Sequence, residues 1–196
     1  MTGLGAQQHI TLIDEIDLMN DTYTLRGIAR SSLLILVVFT LLAPFFAWLF
    51  YVIAKAYGVE RVIDFPLIFM SLMGALLCIP MHEILHGLAF KLMSPSTKVK
   101  FGYSGLGLFF ASAVGARFTR KQYIIICLIP FVVITLVFAL VIGFIFKAPL
   151  TAYLCIAMHT AGCAGDFFYV RSITKNKAIA YCEDTKTGVK FYGFKA

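Results

Sequence analysis

The residues able to do chemistry in this chain fall in two places. His82, Glu83 and His86 form an H-E-x-x-H pattern, and His159 and Asp166 follow further on, seven residues apart. On a helix, positions i and i+4 lie about 40° apart and one turn displaced, so both imidazoles of the motif can reach one zinc ion at about 2.0–2.1 Å. Glu83 is rotated off that line, where it can reach a water at the metal without ligating the metal. That placement suits a general base. The spacing therefore predicts zinc-assisted hydrolysis, with His82 and His86 as metal ligands and Glu83 as the catalytic residue.

The surroundings of these residues matter as much as their spacing. All five lie in long apolar runs, and Glu83 and Asp166 are the two acidic residues well inside such runs. A charged side chain in the bilayer costs about 2.5–3.5 kcal/mol on insertion scales, so an apolar helix rarely carries one without a use. Three polar groups within five residues of one apolar helix need a metal or one another.

The elements that must hold these groups are apolar throughout. Of 196 residues, 60% are apolar and 14% charged, and the mean hydropathy is +0.88. A water-soluble domain carries about 25% charge. The composition disfavours a soluble enzyme, a secreted disulfide scaffold and a disordered chain. Four apolar runs, 31–56, 64–92, 120–146 and 150–173, are predicted as transmembrane helices. Asp64 is expected to cap the second, with Pro66 in its first turn, and Thr119–Gln122 matches a capping box at the start of the third. Pro44, Pro80 and Pro130 are expected to bend their helices.

Between runs two and three, Val99, Phe101 and Tyr103 alternate with Lys98, Lys100 and Gly102, the period of a strand. This segment is expected to be extended or hairpin-like. Residues 10–13 fit a short strand or part of an amphipathic helix, and the tail is strand-like over 178–182 with a turn at Thr187-Gly188. Four of the five cysteines lie in apolar runs and none forms a CxxC pair, which reads as small core residues. The expected fold is thus an all-α polytopic membrane protein, four transmembrane helices with an extended segment between helices two and three.

Charge orients this arrangement. Fourteen of the seventeen Lys and Arg fall in the N-terminal segment, the connection between runs two and three, and the tail. That asymmetry places both termini in the cytoplasm. It also accounts for the net charge of +7 through topology and attraction to anionic lipid, with no nucleic-acid partner required. The opening residues lack the basic and apolar regions of a signal peptide.

Depth selects a third ligand. His82 lies 18 residues into its run, about 27 Å deep, and Asp166 lies 16 residues into the fourth, about 24 Å deep. Both reach nearly the same level, close to the cytoplasmic boundary of a hydrocarbon core about 30 Å thick. Asp166 is therefore the expected third metal ligand, the alternative being an ion pair with Arg171. His159, about 14 Å deep, has three readings. It can bind substrate, it can ligate if the fourth helix breaks near Gly162, or it can make an interhelical hydrogen bond.

An H-E-x-x-H span followed by an Asp ligand from a later span resembles the intramembrane site-2 protease class. Size and layout are closer to the bacterial four-span zincin peptidase family, a domain of unknown function. That family's pattern is an H-E-x-x-H span, a Gly- and aromatic-rich linker, a span with Pro near its start and a late Gly-Asp. The matching residues are His82–His86, 101–118, Pro130 and Gly165-Asp166, within roughly 64–174. The resemblance implies that His82, His86 and Asp166 hold zinc and that Glu83 activates water. It also implies that 98–103 or 108–114 pairs with an unwound substrate. The Leu-Asp-Gly signature of site-2 proteases is absent, which leaves the substrate class open.

The chain then divides into a polar cytoplasmic N-terminal segment (1–30), a four-span metallopeptidase-like domain (31–174) and a polar cytoplasmic tail (175–196). The expected activity is hydrolysis of peptide bonds in membrane-proximal or transmembrane segments of a peptide or membrane-protein substrate, near the cytoplasmic face. The rivals are a non-proteolytic zinc-stabilised scaffold, a metal-ion or proton transporter using the same groups, and a hydrolase of lipid or prenyl-peptide.

Overall fold

The computed structural model describes residues 10–17, 21–56, 65–103 and 109–194. Asp64, expected to cap the second helix, and part of the linker, Gly105 and Gly107 included, lie outside them. The order along the chain is β1 (Ile10–Asp17), α1 (Thr22–Ala56), α2 (Phe65–Met93), β2 (Lys100–Tyr103), β3 (Phe109–Ser112) and β4 (Arg117–Thr119). Then follow α3 (Arg120–Val137), continued by a π-helical stretch (Phe138–Ile145), α4 (Pro149–Gly162), α5 (Ala164–Lys175), β5 (Tyr181–Asp184) and β6 (Gly188–Phe194).

The architecture corrects the expectation of an all-α, four-span protein. It is mixed α/β, with a four-stranded sheet in the order β1-β6-β5-β4 and a separate β2-β3 pair, all antiparallel. Among the described residues two helices are long and apolar enough to cross a membrane, Thr22–Ile53 and Arg120–Ile145. Two physical reasons account for the difference. The fourth apolar run breaks at Cys163 into helices of 14 and 12 residues, about 21 and 18 Å long, each short of a bilayer core. The C-terminal end of the second run is also spent on packing within the protein, where Ala89 and Phe90 are buried.

Local signals explain three of the helix ends. Asp21 caps α1 by accepting the Tyr23 and Thr24 amides at 3.0 Å. The capping box forms at α3: the Gln122 amide reaches the Thr119 hydroxyl at 3.4 Å and the Thr119 amide donates to the Gln122 carbonyl oxygen at 2.9 Å. At the far end of α5, the Arg120 guanidinium donates to the Thr174 and Asn176 carbonyls, both at 3.1 Å. A cation suits the negative end of a helix.

The main core lies where helix ends meet the sheet. Phe90 of α2, Tyr123 and Ile126 of α3, Ile173 of α5, Phe118 of β4, and Val189 and Phe191 of β6 form one buried cluster. The α2 and α3 helices pack side by side, as do α3 and α5, and α2 packs on α4. The α1 helix is tied to α4 by Ser32 Oγ donating to Ala161 O at 2.6 Å and Tyr153 Oη donating to Phe39 O at 2.5 Å. Its outward face stays apolar and uncovered, with Leu41 74% exposed, and Phe144 on the π-helical stretch is 80% exposed.

Candidate metal centre

The apolar sequence around the H-E-x-x-H motif keeps α2 helical through it, so His82 and His86 fall on one face. Their Nε2 atoms stand 3.0 Å apart. Asp166, in the first turn of α5, meets both: Oδ2 lies 3.1 Å from His82 Nε2 and Oδ1 lies 3.2 Å from His86 Nε2. The three side chains are only 12–14% exposed. A tetrahedral zinc ion with bonds of about 2.0–2.1 Å holds its ligand atoms about 3.3–3.4 Å apart. The observed separations are close to that, so the donor set fits one zinc ion.

The outer contacts support the same assignment of nitrogen atoms. His86 Nδ1 lies 3.1 Å from the Ile126 carbonyl oxygen. A carbonyl only accepts, so the hydrogen sits on Nδ1 and Nε2 keeps its lone pair for a metal. His82 Nδ1 faces His159 Nε2 at 3.4 Å and Cys163 Sγ at 3.9 Å. His159 thus sits behind His82, on the far side from Asp166, with Phe131 stacked at 6.5 Å and Phe138 edge-on at 6.2 Å between ring centroids. The helix does break beside Gly162, yet Asp166 is the residue that joins His82 and His86 through Nε2. His82, His159 and Cys163 form a second group of donor atoms within 4.8 Å of one another, reached through the other nitrogen of the His82 ring.

Glu83 points to a different wall. Its Oε2 accepts the Ala111 amide of β3 at 2.8 Å, so the strand holds the carboxylate from the side opposite the helix. Gly87 makes room for that strand pair: a Cβ there would stand 2.4 Å from the Phe101 ring of β2. A cavity of about 170 Å³ opens here, lined by Glu83, His86 and Asp166, by Phe109, Phe110 and Ala111 of β3, and by the β5–β6 turn.

Two residues of this cavity carry no signature in the sequence, and Cys163, behind His82, carries a slight one. Tyr123 and Asp184 also line the cavity, and the Tyr123 hydroxyl donates to Asp184 Oδ1 at 2.9 Å. Cys163 lies 3.6 Å from His159 Nε2. Asp184 belongs to a polar tail where acidic residues are ordinary, and only the pairing of β5 with β4 and β6 brings it to the cavity. For Cys163, the four-residue spacing from His159 was the one available hint.

A family model described as "Putative zincin peptidase" matches residues 75–181. That range is more than half of the chain and holds His82, Glu83, His86, His159 and Asp166. Comparisons with curated proteins and with solved structures gave no match. The family implies a zinc metallopeptidase, and the His and Asp groups just described are of the kind that hold such an ion. On this match, the chain belongs to the zincin peptidase family.

Proposed function

We propose that the protein is a membrane-embedded zinc peptidase that cuts peptide bonds in membrane-proximal or transmembrane segments of its substrates, as site-2 proteases do. The observation that carries this reading is the convergence of His82, His86 and Asp166 at 3.0–3.2 Å, beside a cavity that Glu83 also lines. Bound by those three residues, zinc supplies Lewis acidity toward water and the scissile carbonyl.

The chain's own residues do the rest. The Ala111 amide fixes Glu83 Oε2 and leaves Oε1 as the oxygen that takes the proton from the attacking water and hands it to the leaving amine. His86 is held in its ligating tautomer by Ile126 O, and His159 backs the ring of His82. The substrate must be extended, because a helix shields its own amides. Strand β3 is paired with β2 on one side and lines the cavity, so its main chain is the surface on which an unwound segment adds as a strand.

In this reading α1 and α3 with its π-helical extension cross the membrane, and lipid covers their exposed apolar faces. Both termini lie in the cytoplasm. Support for their sharing a side comes from the sheet: the N-terminal strand, the strand before α3 and the two tail strands are all paired in it. Most of the Lys and Arg lie in the connection before α3 and in the tail, which adjoin the last three of these strands.

The test is made on detergent-purified full-length chain. Zinc is counted per chain, and cleavage of a membrane-spanning model peptide is followed. The reading expects about one zinc with cleavage, and a Glu83→Gln variant that keeps zinc and loses turnover. Cleavage by that variant at the wild-type rate overturns the mechanism, and a folded, metal-replete preparation without zinc overturns the reading as a whole.

A further inference from the structure

Asp184 lies beyond the range that the family model matches and is not needed to hold zinc or move a proton. It nevertheless sits on the wall of the cavity that Glu83, His86 and Asp166 line. One oxygen is engaged: Oδ1 accepts the Tyr123 hydroxyl at 2.9 Å. The other, Oδ2, is buried and has no hydrogen-bond partner. A buried carboxylate oxygen without a donor is costly, so such groups in native proteins call for an explanation.

The cavity between the metal ligands and Asp184 has a distinct chemical profile. Its walls are apolar, formed by Phe90, Phe109, Phe110 and Ile126, while three carboxylates face it, Glu83, Asp166 and Asp184. Lys186 of the β5–β6 turn also lines it, but its side chain is exposed and is not ion-paired to Asp184 among the described residues. Zinc would offset charge at the Asp166 end and leave the Asp184 end without a cation. Apolar walls ending in a carboxylate match a side chain with a methylene stem and a cationic tip. The size fits as well: a cavity of about 150 Å³ holds one benzene-sized molecule, and this one is about 170 Å³. It takes one long side chain.

We propose that this cavity is a specificity subsite for a Lys or Arg side chain flanking the scissile bond, with Asp184 Oδ2 accepting from its ammonium or guanidinium and Tyr123 holding the carboxylate in place. The inference rests on the zinc peptidase reading and adds a substrate class to it. Burial pushes the Asp184 carboxyl up to about 7, against the pull of the Tyr123 hydroxyl. An entering cation supplies the partner that burial withholds. Basic residues also flank membrane segments on their cytoplasmic side, where the proposed substrates are cut.

The experiment uses zinc-loaded full-length protein in detergent and hydroxamates that bind zinc directly. Each probe has its amine acylated, so that the side chain is its only cation, and is made with lysine and with norleucine, on either side of the zinc-binding group. The expected result is that, in one polarity, the lysine probe binds at least tenfold more tightly than its norleucine partner. In Asp184→Asn, with zinc content retained, the ratio falls to within about twofold. Equal binding of both probes in both polarities by the wild type overturns the subsite and leaves the zinc reading standing. So does a lysine preference that survives Asp184→Asn. No hydroxamate binding by folded, zinc-treated protein overturns the zinc reading and the subsite together. The wild-type comparison decides even if Asp184→Asn does not fold, and Asp184→Glu, which keeps the charge, is expected to keep a lysine preference.

Discussion

The candidate metal centre and the four-stranded sheet are assembled in different ways. At the centre, three side chains from α2 and α5 place their donor atoms 3.0–3.2 Å apart, and each contact is between named atoms. In the sheet, β1, β4, β5 and β6 come from the start, the middle and the end of the chain and are joined through the backbone, residue by residue along their register. A bulge between Leu12 and Asp14 is absorbed without breaking the β1–β6 pairing. The centre therefore depends on side-chain identity, and the sheet on backbone fit. They meet at the cavity, where Asp184 comes from the sheet and Glu83 from the helix.

Substitutions can pull the two regions apart. The largest effect is expected from Asp166→Ala or His86→Ala, each of which removes one of the three proposed ligands. Zinc per chain, measured by atomic absorption, should fall from about one to near zero while the sheet persists. Next is Glu83→Gln, with zinc retained and turnover lowered by about 10²–10⁴-fold, the usual size of a general-base contribution. His159→Ala removes the ring behind His82 and should weaken zinc affinity about 10–100-fold, as loss of an outer-sphere partner does. Competition with a chelator measures this, and unchanged affinity would show that His159 only fills space.

In the sheet, identity should matter less than room. A Cβ at Gly188 would stand 1.8 Å from the Ile16 carbonyl oxygen across the β1–β6 pair. Gly188→Ala should cost about 1–3 kcal/mol, lowering Tm by several degrees and exposing the N-terminal strand to protease, with zinc content unchanged. A parallel loss of zinc would mean that the two regions are not separable.

The smallest effect is a change in pH dependence. Folding raises the Asp184 carboxyl from 3.8 to about 7, chiefly through burial. Between those values the unfolded chain has lost the proton while the folded chain keeps it, so this group makes stability fall as pH rises from about 4 to 7. Asp184→Asn removes that slope. Its Tm relative to wild type should be higher at pH 8 than at pH 5, and a constant difference would contradict the burial of Asp184.

The same division explains what the sequence made legible. The spacing of His82 and His86, the capping box at Thr119 and the break-prone stretch around Gly162 are local patterns, and the structure contains each of them. Asp166 does lie beside His82, but the depth argument that paired them assumed a continuous fourth span, and that run breaks at Cys163 between Leu150 and Asp166. Residues 10–13, open between strand and helix in the sequence, belong to β1 because β6 lies beside them. The tail strand starts at Tyr181 rather than Ala178 for a similar reason: its register is set by β4 and β6, not by its own alternation. Asp184 was not legible because no periodicity links it to Glu83. The count of four spans failed because hydropathy does not distinguish an apolar helix facing lipid from one packed against protein and interrupted at Cys163.

The most direct test of the central claim is the zinc content of the full-length protein purified in detergent, measured beside Asp166→Ala. About one zinc per wild-type chain, lost in the variant, is the result expected from the converging His82, His86 and Asp166. A folded, metal-replete wild type without zinc, or a variant that binds zinc as tightly as the wild type, would contradict it.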